Sequence, residues 1–487
     1  MGNIMAGLQE AANALSAYNQ VLQVTQNNVA NMSTPGFAKQ TQSLDASPFE
    51  PPSLWGGVVA GAIQDSRNDF AEQAVWRQSN ILGQQQQLAS SLTSLQSNFD
   101  ISGTTGIAYA LNNFFSSVSA WAQTPSDEAA RQSVIENATD VAKSFQDTAN
   151  SLQQIAQNTD SQLQSTVGQV NSLVGQLAKY NQAILQGATG GDSGVETGIY
   201  STLEQLSQSI NFTATKQADG TVTIALNGTT PLLVGGQQFP LSTSLASSPS
   251  PPATYSQAPP NAHLIAADGT DVSAQTTGGA LGALLQMRNA ILPQFQGDGN
   301  QPGELNTLAQ QFADRVNSLL TSGNISDGPP PVPGVPLFTY AAPNSTDGSN
   351  TGSNIAGTLA VSSTITPDQL APISTGPPEV SNGVALALSQ LANPTGAADE
   401  INRLSYMQYY GKIASSIGSQ LQSAQNNVQV QQSLVAQAQN QRQQISGVDV
   451  NQEAMTAVEF ERAYQANSQM ITILNQLTQD TINLLQA

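Results

Sequence analysis

The same spacing appears at both ends of the chain. Leu8, Leu15, Leu22 and Val29 recur every seven residues at the start, and Ala463, Met470, Leu477 and Leu484 do so at the finish. A seven-residue apolar repeat keeps one narrow stripe of a helix turned toward a partner helix along its whole length. The two ends therefore read as helices built to pack lengthwise, with everything between them inserted as an excursion from the terminal pair. This reading favours a subunit that joins others along an axis over a globular enzyme.

The intervening chain carries more of the same texture. From Leu163 the apolar positions step four, three, four, three through Val167, Val170, Val174 and Leu177 to Asn181 and Ile184. Ile417, Leu421, Ala424, Val428, Gln431, Val435, Ala438 and Ile445 follow the same rule, so these two stretches are expected to form coiled-coil-like helices. Thr124 is expected to cap the first of them, with Pro125 at its first position and Asp127 and Glu128 at the positive end of its dipole. Sixty such residues would make a rod on the order of 90 Å.

Strand patterning is confined to the middle. Ile210, Phe212 and Ala214 alternate with polar residues, Asp219-Gly220 turns the chain, and Val222, Ile224 and Leu226 alternate again before a second turn at Asn227-Gly228. Leu241 to Ala262, rich in Ser and Pro, is expected to be loop, and Leu337 to Tyr340 and Thr358 to Val361 are short strand candidates. The fold class expected is mainly α with a β insert, an α+β multidomain chain whose long helices come from pairing of its N- and C-terminal regions around a small antiparallel β domain. The divisions are 1–37, an N-terminal axial helix; 38–209, the first part of a helical core; 210–277, the β insert; and 278–322, a further core segment. After these come 323–381, a Pro/Gly-rich insert with short strands; 382–446, the last part of the core; and 447–487, a C-terminal axial helix.

Composition removes several function classes. Only 9% of the residues are charged, and 13 basic against 33 acidic residues give a net charge of −20, so nucleic acid and anionic membrane are poor partners. With no cysteine there is no disulfide, thiolate metal site or cysteine nucleophile. The first thirty residues lack a signal peptide's basic flank and apolar core, and no window has the length of a membrane span.

Candidate chemistry is sparse. Gly190-Gly191-Asp192-Ser193-Gly194 resembles the nucleophile segment of chymotrypsin-like proteases, but the single histidine, His263, follows it instead of preceding it, and a Gly/Ser loop explains it better. His263 has no Cys, Asp or Glu at ligand spacing. Glu453, Glu459 and Glu461 read as acidic, solvent-facing residues in the first turns of the last helix. Trp55, Trp76 and Trp121 fit core positions better than a carbohydrate platform. No catalytic, cofactor or metal residue is assigned.

Two segments carry a family resemblance. Asn27-Asn28-Val29-Ala30-Asn31-Met32-Ser33-Thr34-Pro35-Gly36-Phe37 resembles the N-terminal signature of flagellar rod, hook and hook-associated proteins, with Phe37 where many members have Tyr. Ser446 to Ala454 and Phe460 to Asn467 resemble the closing signature of the same group. Within it, the long helical region of Phe114 to Ile184 is most similar to the hook-associated protein 1 (FlgK) family.

The resemblance implies a structural subunit, not an enzyme, placed at the hook–filament junction and outside the cell. It implies export by the flagellar type III apparatus and terminal helices that are loose before assembly. Implied partners are a ring of identical subunits, the hook protein, the next hook-associated protein and an export chaperone, with no cofactor. The N-terminal packing residues are then Leu8, Leu15, Leu22, Val29, Asn31, Thr34, Gly36 and Phe37. Tyr464, Met470, Ile471, Leu474, Leu477 and Leu484 are the packing or chaperone residues at the other end. The alternatives are a hook or distal rod subunit, favoured if Phe70 to Leu185 were β-rich, or a secreted peptidoglycan-acting enzyme with coiled-coil arms.

Overall fold

The computed structural model describes residues 2–48, 56–101, 103–187, 193–246, 261–298, 301–341 and 354–486. Trp55, and residues 190–192 of the Gly/Ser segment, lie outside them.

The chain opens with α1 (Gly2–Asn31), followed by the antiparallel hairpin β1 (Gln40–Ala46) and β2 (Val58–Asp65). Three helices follow, α2 (Asp69–Gln96), α3 (Gly106–Gln123) and α4 (Glu128–Leu185), and then α5 (Ser193–Ser209). A four-stranded meander comes next: β3 (Thr213–Lys216), β4 (Val222–Leu226), β5 (Thr230–Val234) and β6 (Gln237–Gln238) in that order across the sheet. The ribbon of β7 (Ser242–Ala246) and β8 (Asn261–Ile265) leads to α6 (Gly279–Gln286), α7 (Leu292–Gln296) and α8 (Glu304–Thr321).

Short elements fill the next stretch. They are β9 (Gly323–Ser326), β10 (Val332–Pro333), β11 (Phe338–Thr339), α9 (Ile355–Thr358), β12 (Ala360–Val361) and β13 (Ile373–Ser374). The chain closes with α10 (Gly383–Gln390), α11 (Tyr406–Ser446) and α12 (Val450–Gln486). The architecture is mainly α with small antiparallel sheets, and the region from Phe70 to Leu185 is helical, with no strand among its described residues.

The chain forms two compact units. The first holds Met1–Leu82, Val170–Phe239 and Val430–Ala487; the second holds Gly83–Gln169 and Pro240–Gln429.

The second unit is organised by aromatic side chains. Phe312 of α8 lies edge-on to Phe114 of α3 (5.4 Å between centroids) and Tyr406 of α11 (5.6 Å), with Phe338 of β11 at 5.4 Å. Trp121 is fully buried there and donates its Nε1 hydrogen to the Pro125 carbonyl at 3.3 Å. Burial of such rings contributes about 1.5–3 kcal/mol each.

Helix α1 of the first unit runs antiparallel to α12. A Cβ added at Gly7 would touch Leu474, the rings of Tyr18 and Phe460 lie 5.9 Å apart, and Asn28 bonds Glu453 at 3.0 Å. The buried stripe of α1 is made of small residues, Ala11, Ala14 and Ala17, followed by Val21 and Val24. The meander rests on α4 through Asn181, whose Nδ2 donates to the Val222 carbonyl (2.8 Å) while its Oδ1 accepts from the Val222 N–H (2.9 Å). Asn227 and Gly228 both take positive φ (48° and 74°), as a tight hairpin between β4 and β5 requires.

The two-way grip of Asn181 recurs across the molecule. Asn28 holds the N–H and C=O of Gln40, Asn289 those of Ala262, and Asn317 those of Phe338. In each case a side-chain amide satisfies a strand residue as a neighbouring strand would, which fixes strand to helix without a charge.

Four expectations change. Thr124 caps the end of α3; the next helix starts at Glu128, capped by Asp127, whose Oδ1 accepts the Ala129 N–H at 3.0 Å. The Trp121 and Arg131 side chains both bond the Pro125 carbonyl, which holds residues 124–127 in a turn. Leu241 to Ala262 is not simply loop, because its two ends pair as β7 and β8, and residues 247–260 lie outside those described. Ile210 follows α5 and precedes β3 instead of opening the strand. On α11, Val428 is half-buried and Ile445 exposed; within the first unit, its polar contacts reach α2 (Gln431 to Gln78 and Arg442 to Glu72) and α5 (Arg442 to Glu204).

Candidate assembly surface

Asn28 sits on the α1 stripe, one turn beyond Val24, and is 1% exposed. A buried amide must find partners. It finds three: the Gln40 C=O at 2.8 Å, the Gln40 N–H at 2.9 Å and the Glu453 carboxylate at 3.0 Å.

Glu453, on the first turn of α12, is also ion-paired with Lys39 at 3.0 Å, and the Lys39 ammonium reaches Gln452 at 2.9 Å. The Lys39 N–H donates to the Ser446 carbonyl at 2.9 Å. Two sequence signatures about four hundred residues apart thus close into one clamp. The expectation of a solvent-facing Glu453 is corrected here, since it is 3% exposed.

The turn after α1 is anchored on its other side. Asn31 bonds back to Asn27 (2.8 Å) and accepts the Thr34 hydroxyl (3.1 Å), closing the helix end. Gly36 takes φ 79°, and a Cβ there would lie 2.7 Å from the Thr197 carbonyl and 2.8 Å from the Ser201 nitrogen of α5. Glycine is required by both conformation and space.

Arg67 donates to the Gly36 carbonyl at 2.8 Å, pairs with Glu72 at 2.8 Å and stacks 3.8 Å over the Tyr200 ring. Arg442 of α11 joins Glu72 (3.1 Å) and Glu204 (2.8 Å). Burial would lower the guanidinium pKa, yet the two carboxylates outweigh it and hold Arg442 above its ordinary value. Such buried ions are tolerable because they are paired. Nearby, burial and Asp65 push the Glu196 carboxyl up, although Lys216 lies 2.8 Å away.

The predicted residues divide by exposure. Leu8, Leu15 and Leu22 are half-buried beside the small-residue stripe, and Val29 is exposed. Asn31 and Phe37 are half-buried, Thr34 is exposed and Gly36 is buried.

On α12, half-buried Phe460, Ala463, Asn467, Ile471, Leu474 and Thr478 recur at helical spacing, and Phe460 and Leu474 among them meet Tyr18 and Gly7 of α1. Tyr464, Met470, Leu477 and Leu484 are 41–79% exposed, in company with Met455, Val458 and Ile473. Among the described side chains of α12, Glu453 alone is fully buried. The terminal pair therefore meets through one face of α12 and leaves a second apolar stripe uncovered.

Reading by apolar period missed Asn28, Gln40, Lys39 and Glu453, because it scores apolar residues only. The available signal was the position of Asn28, seven residues after Val21 and four after Val24. No group of three or more potential metal ligands occurs among the described residues, and none of their helices is long and apolar enough to cross a membrane. His263 does have an acidic neighbour, contrary to the reading from spacing: its Nδ1 lies 2.7 Å from Asp271.

The family model for the flagellar hook-associated protein FlgK helical domain matches residues 92–338, more than half of the chain. That for the flagellar basal body rod FlgEFG protein C-terminal region matches residues 439–484. Flagellar hook-associated protein 1 of Bacillus subtilis (strain 168) is 25% identical over 517 residues, covering 99% of this chain and 99% of that protein. The solved structure of the flagellar hook junction protein FlgK from Burkholderia pseudomallei shares the fold, with a TM-score of 0.63 at 17% identity, over 77% of this chain and 100% of that one.

A rod-type C-terminal helix and a hook-associated helical body on one chain define a structural protein of the flagellar axis. The chain belongs to the FlgK family of flagellar hook-associated proteins.

Proposed function

We propose that this chain is the structural subunit that forms the junction between flagellar hook and filament, acting by packing and not by catalysis. The observation that carries the reading is α12: a 37-residue helix whose apolar stripe Met455, Val458, Met470, Ile473, Leu477 and Leu484 is exposed. A helix in this state gains little burial to offset its ordering entropy, and neighbouring subunits can supply the rest.

On this reading Leu8, Leu15, Leu22 and Val29, with the Asn31–Thr34–Gly36–Phe37 turn, pack against identical subunits in a ring. Tyr464, Met470, Ile471, Leu474, Leu477 and Leu484 do the same from the other terminus. The hook protein lies on one side and the next hook-associated protein on the other. Before assembly the chain passes unfolded through the flagellar type III apparatus to the outside of the cell, with an export chaperone holding the apolar face of α12.

The test is deletion of the gene, with electron microscopy of the cells and blotting of the medium for flagellin. Complete hooks without filaments, and flagellin lost to the medium, are expected. Absent hooks would move the chain to rod or hook, and unaltered flagella would overturn the structural reading.

A further inference from the structure

An asparagine followed by glycine has a side-chain amide open to attack by the next main-chain nitrogen, because glycine puts no Cβ in the way. The chain has two such pairs, Asn227-Gly228 and Asn382-Gly383. Their surroundings are opposite.

Asn382 is half-buried, and both of its reacting groups are engaged. Its Nδ2 donates to the Ala122 carbonyl at 2.8 Å, and the Gly383 N–H donates to the Val380 carbonyl at 3.0 Å. A Cβ at Gly383 would run into the Ser374 side chain, so the space beside that nitrogen is closed. Reaction there has to break two hydrogen bonds and displace a neighbour.

Asn227 and Gly228 form the exposed tip of the turn between β4 and β5, which the Thr229 N–H closes by donating to the Leu226 carbonyl at 3.1 Å. Among the described residues, neither the Asn227 side-chain amide nor the Gly228 N–H has a hydrogen-bond partner. A Cβ added at Gly228 would meet the Thr213 hydroxyl at 3.8 Å, an ordinary contact distance. Nucleophile and electrophile are adjacent, unengaged and in water.

We propose that Asn227 is a site of spontaneous deamidation, an ageing mark written into the β insert. Hydroxide removes the Gly228 amide proton, the nitrogen attacks the Asn227 Cγ to close a five-membered succinimide, and the Cγ–Nδ2 bond breaks with release of ammonia. Water then opens the ring. Cleavage between the ring nitrogen and Cγ leaves aspartate; cleavage between that nitrogen and the main-chain carbonyl carbon leaves isoaspartate. Aspartate can keep the left-handed conformation of the turn, φ 48° at this position. Isoaspartate carries the main chain through its side chain, which lengthens the turn and breaks the Thr229–Leu226 bond.

The test incubates full-length protein in mild alkali, folded and in denaturant, and follows both sites by peptide mapping with mass spectrometry. In the folded protein Asn227 should convert at least about tenfold faster than Asn382, whose two hydrogen bonds must be lost first. In denaturant the two rates should converge. The isoaspartyl fraction, isolated and refolded, should show faster hydrogen exchange at Thr229. Equal rates in the folded protein, an equal gap in denaturant, or an isoaspartyl fraction with an unaltered Thr229 amide would each overturn the proposal.

Discussion

The aromatic cluster of the second unit and the α1–α12 pair of the first are both helical, yet they are stabilised in opposite ways. Phe114, Phe312 and Phe338 are sealed from solvent and touch one another across three elements. The α1 helix offers α12 alanines and valines, and α12 answers with side chains that remain half exposed. One region carries its own core; the other leaves an apolar stripe open to solvent. Helical periodicity alone does not separate the two.

The sharpest way to break this comparison is Phe312→Ala. Loss of a ring that four aromatic neighbours contact should cost about 3–5 kcal/mol in denaturant unfolding. A much smaller loss would mean that the second unit lacks the consolidated core described for it.

Asn181→Leu comes next. It leaves the Val222 N–H and C=O without their side-chain partner and should cost about 1–3 kcal/mol, with faster hydrogen exchange along β4.

Asn28→Leu should act locally. Exchange at Gln40 and across the first turns of α12 is expected to accelerate while the amides of α3 stay protected. Uniform acceleration would show that the two units do not differ in the way proposed.

Glu196→Gln probes the acid pair with Asp65. Because the folded-state pKa of Glu196 is raised, its contribution to stability is present below its unfolded value near 4.5 and is lost as pH rises through the folded one. The variant should therefore gain on the parent in thermal scans at neutral pH and match it in acid.

The smallest effect on folding belongs to Leu477→Asp. At an exposed site it should shift unfolding by no more than about 0.5 kcal/mol, yet stop incorporation into the flagellum. Normal assembly of Leu477→Asp, or of Leu15→Asp, would remove those residues from the packing surface.

What the amino-acid order discloses follows the same division. The heptad stretch from Leu163 to Asn181 and the Asn227-Gly228 hairpin are local patterns, and the structure has a continuous helix and a tight turn there. The starting point of α4 was not legible, because Thr124 and Asp127 are both good caps and the turn between them is held by Trp121 and Arg131 sharing the Pro125 carbonyl. The β7–β8 pairing was hidden in a Ser/Pro-rich stretch, where Asn289 secures Ala262 from a distant helix. The clamp of Asn28, Lys39 and Glu453 was legible only in the position of Asn28, for a related reason: its members are polar and joined only when the termini meet.

The asparagine grips have a consequence for the environments this molecule can meet. Those at Val222, Ala262 and Phe338 are made of neutral amides, which neither take up protons nor attract counterions. Each strand so held should keep its seat unchanged from dilute water to brine, whereas the Lys39–Glu453 ion pair at the base of the terminal helices will register added salt.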